Sequence, residues 1–195
     1  MNHFTLKSYL TSNLDLREEE INTILTECNT RIVSKDEYLL KSQEYCKHIF
    51  FVEDGLLRQF SIDEKGKEHI LHFAPEGWFV TDRESVFFNQ PSQFNIQALE
   101  DTRVAVLDDA FFKILEEKMP SFRDFNHRMI HSYIRSLQNR IMMLLSNTAE
   151  DRYLKFIKKY PDIPLRVPQW MIASYLGITP ESLSRVRKEL AQRHK

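Results

Sequence analysis

Between Pro180 and Gln192 the sequence PESLSRVRKELAQ sets Glu181, Arg185, Lys188 and Gln192 at intervals of four, three and four. At about 100° per residue, this spacing puts the four side chains on one face of a helix, with Ser182 and Ser184 at its flanks. Such a face offers hydrogen bonds to nucleobase edges and phosphates. A guanidinium at Arg185 can grip guanine through O6 and N7 together, and a carboxylate one turn earlier, at Glu181, can accept from a cytosine N4 amine. An ammonium at Lys188 suits phosphate. Leu183, Val186 and Leu190 fall on the other face. Arg187 lies near the edge of that apolar stripe, so its stem is expected to pack and its head to reach a phosphate. The plain alternative is that these charges solvate a surface helix.

The residues just before weigh against that alternative. In QWMIASYLGITPESLSRVRKEL, Ile172 and Leu176 share a face, and Ala173 is small where a second helix must cross closely. Gly177 stands where a helix C-terminus needs a left-handed residue. Pro168 suits the first turn of the preceding helix, Thr179 caps the next one, Pro180 is its first residue, and Glu181 favours its positive end. Leu183, Val186 and Leu190 then face Ile172, Leu176 and Ile178. This is the grammar of a helix-turn-helix. Upstream, TAEDRYLKFIKKYP predicts a helix capped by Thr148 and stopped at Pro161, followed by the proline-rich connection YPDIPLRVP.

Before that, SFRDFNHRMIHSYIRSLQNRIMMLLSN has no glycine or proline, and spaces Ile130, Ile134, Leu137, Ile141 and Leu144 by 4, 3, 4 and 3. That is a heptad seam, which predicts a parallel homodimer; an ordinary helix packed on its own domain is the alternative. Met142, Met143 and Leu145 widen the apolar face. Charge follows the same division. The chain's formal net charge is −1, but residues 121–195 carry 14 Lys and Arg against 6 Asp and Glu, and residues 1–120 carry 13 against 22. The basic part is the one expected to meet a polyanion.

Residues 3–28 read as helical, with Leu16, Ile21, Ile24 and Leu25 on one face and Glu18, Glu19 and Glu20 near the start. From Thr30 to Leu107 short alternating runs are broken by turn residues, with Asp63-Glu64-Lys65-Gly66 as a hairpin connection and Pro75-Glu76-Gly77 as another turn. This texture predicts a β-roll or barrel. The fold class is therefore α+β: an N-terminal β-roll of jelly-roll type with flanking helices, a long dimerisation helix, and a C-terminal winged-helix-like helix-turn-helix. The expected divisions are 1–118, 119–147 and 148–195. The two cysteines, Cys28 and Cys46, form no CxxC, and no apolar run reaches the roughly 20 residues that span a bilayer. A cytoplasmic protein with no membrane association is expected.

These features together resemble the Crp/Fnr superfamily of bacterial transcription regulators, along essentially the whole chain. The terminal motif and SNTAEDRYLKFIKKYPDIPLRVPQ are its specific parts, and VEDGLLRQFSIDEKGKEHILHFAPEGWFV is similar to the family's β-roll hairpins. The resemblance implies a homodimer, a sensory domain of cyclic-nucleotide-binding type, and recognition helices in successive major grooves of a double-stranded, palindromic DNA operator, with RNA polymerase as a further partner. Glu181 and Arg185 match the family's base-reading positions, and Pro180 stands where the best-known subgroup has a basic residue. The DNA-contacting set expected on this basis is Gln169, Thr179, Pro180, Glu181, Ser182, Ser184, Arg185 and Lys188. Little chain is expected beyond the second helix for a β-wing.

In the stretch GWFVTDRESVFFNQPSQFNIQA, the resemblance puts Ser92 where cyclic-nucleotide binders carry the arginine that meets the phosphate. A buried cyclic phosphate would lack its counter-charge, so cAMP and cGMP are not expected as effectors. Arg83 is the other residue considered for an acidic ligand, and an exposed loop position is its commoner fate. The effector's identity stays open, and a purely structural β-roll is a further reading. No metal or other cofactor is expected: His69 and His72 point to opposite faces of a strand, and two cysteines do not make a four-thiolate cluster. A cupin-like metal enzyme using Glu68, His69 and His72 is the competing class. It leaves the helix-turn-helix and the basic C-terminal part unexplained.

Overall fold

The short runs between Thr30 and Leu107 become strands, several of which bury consecutive residues rather than every second one. The computed structural model describes residues 4–14, 17–26, 28–119 and 122–193. Its strands are β1 (Asn29–Val33), β2 (Tyr38–Leu40), β3 (Ile49–Asp54), β4 (Leu57–Ile62), β5 (Glu68–Ala74), β6 (Phe79–Val80), β7 (Asn95–Ala98) and β8 (Thr102–Leu107). They form two four-stranded sheets, in the orders β1-β8-β3-β6 and β2-β7-β4-β5. Pairing is antiparallel where β8 meets β1 and β3, and where β7 meets β2 and β4. Val33, Val52, Val80 and Val104 from one sheet meet Leu40, Leu57, Ile96 and Ala98 from the other in a single buried cluster. This is the predicted β-roll.

The β4–β5 connection is the expected hairpin: Gly66 sits at φ +78°, a left-handed value that only glycine adopts freely, and the backbone N–H of Asp63 donates to Lys67 O at 3.0 Å. The turn at Pro75-Glu76-Gly77 closes through the Trp78 N–H donating to Pro75 O.

The helices are α1 (Leu6–Asn13), α2 (Glu18–Leu25), α3 (Arg83–Phe88), α4 (Asp109–Lys118), α5 (Phe122–Ser146), α6 (Ala149–Lys159), α7 (Ile163–Arg166), α8 (Gln169–Leu176) and α9 (Pro180–Arg193). The helical reading of 3–28 therefore resolves into two. Leu14 is extended after α1, and α2 starts afresh with the Arg17 N–H held by the Glu20 carboxylate at 2.9 Å. Ile21 and Ile24 are buried as expected, and Leu16 lies outside the described residues. The connection YPDIPLRVP is not wholly irregular, since α7 makes one turn within it. Pro168 is the N-cap of α8, one position before the first turn in which it was expected.

The chain divides into two compact units, Met1–Lys67 with Leu71–Arg128, and Glu68–Ile70 with Met129–Lys195. In the first, Tyr9 of α1 packs its ring 5.2 Å from Phe51 and 5.1 Å from Phe79. In the second, Phe156, Tyr160 and Tyr175 form a cluster with centroids 5.3 to 5.8 Å apart. Among the described residues no helix is long and apolar enough to cross a membrane.

Candidate nucleic-acid interface and dimer seam

The helix-turn-helix is assembled by local capping and one apolar seam. Thr148 accepts from the Asp151 N–H at 3.1 Å and donates to the Asp151 carboxylate at 2.7 Å, which starts α6 and holds that carboxyl below its ordinary range. α8 ends at Gly177, with φ +65°, where an added Cβ would lie 3.2 Å from Leu144 Cδ2. The Ile178 N–H returns to Ala173 O at 3.0 Å. Thr179 Oγ1 then accepts from the Ser182 N–H at 3.3 Å, opening α9 with Pro180 in its first position. Ile172, Ala173, Leu176, Leu183 and Val186 are buried, and Ile178 and Leu190 are half-buried.

The other face of α9 points outward. Glu181, Ser184, Arg185, Lys188 and Gln192 are exposed, as are Gln169, Thr179 and Pro180; Ser182 is half-buried, its N–H given to the cap. Arg187 is exposed, contrary to the expectation of a packed stem. The Glu181 carboxyl is held below its usual range by its own backbone N–H and by the Thr179 hydroxyl. It stays an ionised acceptor, as a contact to a base amine requires. All the sequence-predicted residues except Ser182 are thus exposed.

Two arginines that periodicity did not single out tie the unit together. Arg152 of α6 donates to Leu144 O at 2.7 Å, to Asn147 O at 3.1 Å and to Leu176 O at 3.0 Å. Arg193 pairs with Glu150 at 2.6 Å, joining the end of α9 to the start of α6. No spacing rule marks either, because their partners are 43 residues away or are backbone carbonyls.

Along α5 the heptad residues form an incompletely covered stripe. Ile134 and Ile141 are 43% and 56% exposed, with Met142 and Leu145 at 58% and 76% beside them. Ile130, Leu137 and Leu144 are half-buried.

In the β-roll, Ser92 and Arg83 are not brought together. Ser92 is buried and donates to Asp82 Oδ2 at 2.6 Å, while Asp82 Oδ1 caps α3 by accepting from the Glu84 and Ser85 N–H groups. Arg83 turns its guanidinium over the Phe87 ring, 4.8 Å from the centroid. Asp82 was not anticipated as Ser92's partner, although Asp-Arg-Glu-Ser is a readable helix start. Among the described residues no group of three or more His, Cys, Asp or Glu is arranged to hold a metal, so Glu68, His69 and His72 do not form the centre that a cupin-like enzyme needs.

A family model for the cyclic nucleotide-binding domain matches residues 30–118. The anaerobic regulatory protein of Haemophilus influenzae is 29% identical over 165 residues, which take in 79% of this chain and 63% of that protein. The fumarate and nitrate reduction regulatory protein of Escherichia coli K12 is 27% identical over 165 residues, 79% of this chain and 65% of that one. The chain thus spans less than two-thirds of the length of these curated relatives. FixK2 from Bradyrhizobium japonicum superimposes with a TM-score of 0.73 at 19% identity, covering 86% of each chain. That likeness is one of fold, a β-roll followed by helices and a C-terminal helix-turn-helix. The chain is thus similar to the cyclic nucleotide-binding domain over residues 30–118, to Fnr-type regulators in sequence, and to FixK2 in fold.

Proposed function

We propose that this chain is a sequence-specific DNA-binding transcription regulator, and not an enzyme, that reads a palindromic operator as a homodimer. The observation that carries this reading is the outward face of α9, where Glu181, Arg185 and Lys188 stand exposed on a helix whose opposite face is buried against α8. Residues 1–118 are the sensor-type domain, 119–147 the dimerisation helix, and 148–195 the DNA-binding part. The stripe through Ile134 and Ile141 supports dimerisation, since exposed apolar residues at heptad spacing lose water when a second copy covers them. The excess of cations after residue 121 supports contact with the phosphate backbone. Glu181 and Arg185 read bases, Lys188 contacts phosphate, and Gln169, Thr179, Pro180, Ser182 and Ser184 complete the DNA-contacting set. At a regulated promoter, in the cytoplasm, RNA polymerase is the natural protein partner. The β-roll does not use a cyclic nucleotide as its switch.

Selection of bound sequences from random double-stranded DNA tests the proposal. An enriched palindrome is expected, with half-sites centred about 34 Å apart, one helical turn. Failure to enrich any sequence, or enrichment that survives Arg185→Ala unchanged, would overturn it.

A further inference from the structure

Within the second unit, α5 and α6 border a groove of about 560 Å³, well inside the range of roughly 300–1,000 Å³ typical of small-molecule sites. Arg135 and Arg140 line it from α5, and Lys155 and Lys159 from α6. Among the described residues that line it there is no aspartate or glutamate. Phe156 and Tyr175 supply apolar surface. Arg140 lies 3.8 Å over the Tyr175 ring and donates through Nη2 to Tyr175 O, while its Nη1 is buried without a hydrogen-bond partner. A buried N–H of a cation left in that state costs free energy unless an acceptor, best an anion, reaches it. Lys155 and Lys159 are one helical turn apart on α6, and both line the groove.

Most of the groove's α5 lining lies away from the heptad seam. At about 100° per residue, Arg135, Asn139 and Met143 lie on the opposite side of α5 from Ile134, Leu137 and Ile141, so a partner helix on the heptad seam does not cover them. No residue of α9 lines it.

We propose that this groove binds a small phosphorylated anion, with Arg135, Lys155 and Lys159 holding its phosphates and the buried face of Arg140 supplying a further donor. Several cations without a carboxylate favour a polyvalent anion over a single carboxylate, and the aromatic side chains tolerate an attached organic group. This gives the chain an effector site outside the β-roll, and it does not depend on how α9 reads DNA.

Calorimetry of the full chain in phosphate-free buffer, with pyrophosphate and ATP as probes and adenosine as the uncharged control, tests the proposal. Saturable binding of at least one anion below millimolar concentration, and none of adenosine, is expected. The double variant Lys155→Gln/Lys159→Gln should weaken it at least tenfold, with operator affinity in anion-free buffer within threefold of wild type. Arg135→Gln, on the exposed side of α5, provides the same test should the double variant not fold. Absence of saturable anion binding, or anion binding that both variants leave intact, would overturn the proposal. So would a double variant whose operator affinity falls more than threefold, because the groove would then belong to the DNA backbone. The calorimetry contains no DNA, so its failure and the failure of the DNA-reading proposal are separate results.

Discussion

Ser92 donates its hydroxyl to Asp82 Oδ2 at 2.6 Å, and the two residues are 1% and 4% exposed. Each satisfies the other inside the β-roll. Ser92→Ala should leave a carboxylate oxygen buried without its donor and cost about 1–3 kcal/mol of stability. Urea unfolding measures this. A loss of less than about 0.5 kcal/mol, the size of an ordinary surface change, would contradict a sealed pair.

The same closure predicts that cAMP and cGMP give no saturable binding at micromolar concentration. The buried hydroxyl at Ser92 offers no counter-charge to a cyclic phosphate, and Arg83 is engaged over Phe87. Titration calorimetry decides, and saturable binding coupled to a change in operator affinity would refute it.

On DNA, Arg185→Ala should remove a bidentate guanine contact, costing about 1–3 kcal/mol per half-site and relaxing preference at that base pair. Lys188→Ala should weaken binding to all sequences and shallow the salt slope by about 0.9. Binding isotherms on operator and random DNA at several salt concentrations separate the two. Equal losses on both DNAs for Arg185→Ala would exclude base reading.

Ile134→Lys with Ile141→Lys should bring unpaired charge into the α5 seam and release monomers. Sedimentation at micromolar concentration checks this. A wild-type chain that already sediments as a monomer would dispose of the seam.

Gly177→Ala should destabilise the helix-turn-helix by about 1–2 kcal/mol, because alanine resists the left-handed backbone at φ +65° and its Cβ would press on Leu144 Cδ2 at 3.2 Å. Thermal unfolding provides the measurement, and an unchanged midpoint would mean that the turn relaxes freely.

Burial, with the Glu53 charge adding to it, pushes the Cys28 thiol up to about 11. The neutral thiol therefore dominates at all pH values below that, and at pH 7.5 the thiolate is on the order of one part in a few thousand. Alkylation of Cys28, followed by site-resolved mass spectrometry, should be slow at neutral pH and climb about tenfold per pH unit up to the raised value. Rapid labelling at pH 7.5 would rule this out.

What the sequence disclosed was local or periodic. The long helix that carries Ile130 to Leu144, the glycine turns at Gly66 and Gly177, and the cap at Thr148 each depend on neighbours within a few residues, and all appear in the structure. The break after α1 escaped because no proline or glycine marks it; extended backbone at Leu14 and the Glu20 cap do. The Asp82–Ser92 pair, the reach of Arg152 to Leu176 O and the position of Arg140 beside Tyr175 escaped for another reason. They join residues 10 to 35 positions apart, and nothing in a linear pattern says that those side chains will meet.

Arg152 has a consequence for the DNA. Its guanidinium is held by carbonyls at the C-terminal ends of both α5 and α8, which carry partial negative charge. The seam helix and the helix-turn-helix are thereby pinned to one cation. In the proposed two-fold dimer, the interval between the two α9 faces is then a gauge carried by the protein. A DNA whose half-sites are moved half a turn out of step must then twist or bend to fit, or break the Arg152 contacts that hold the gauge.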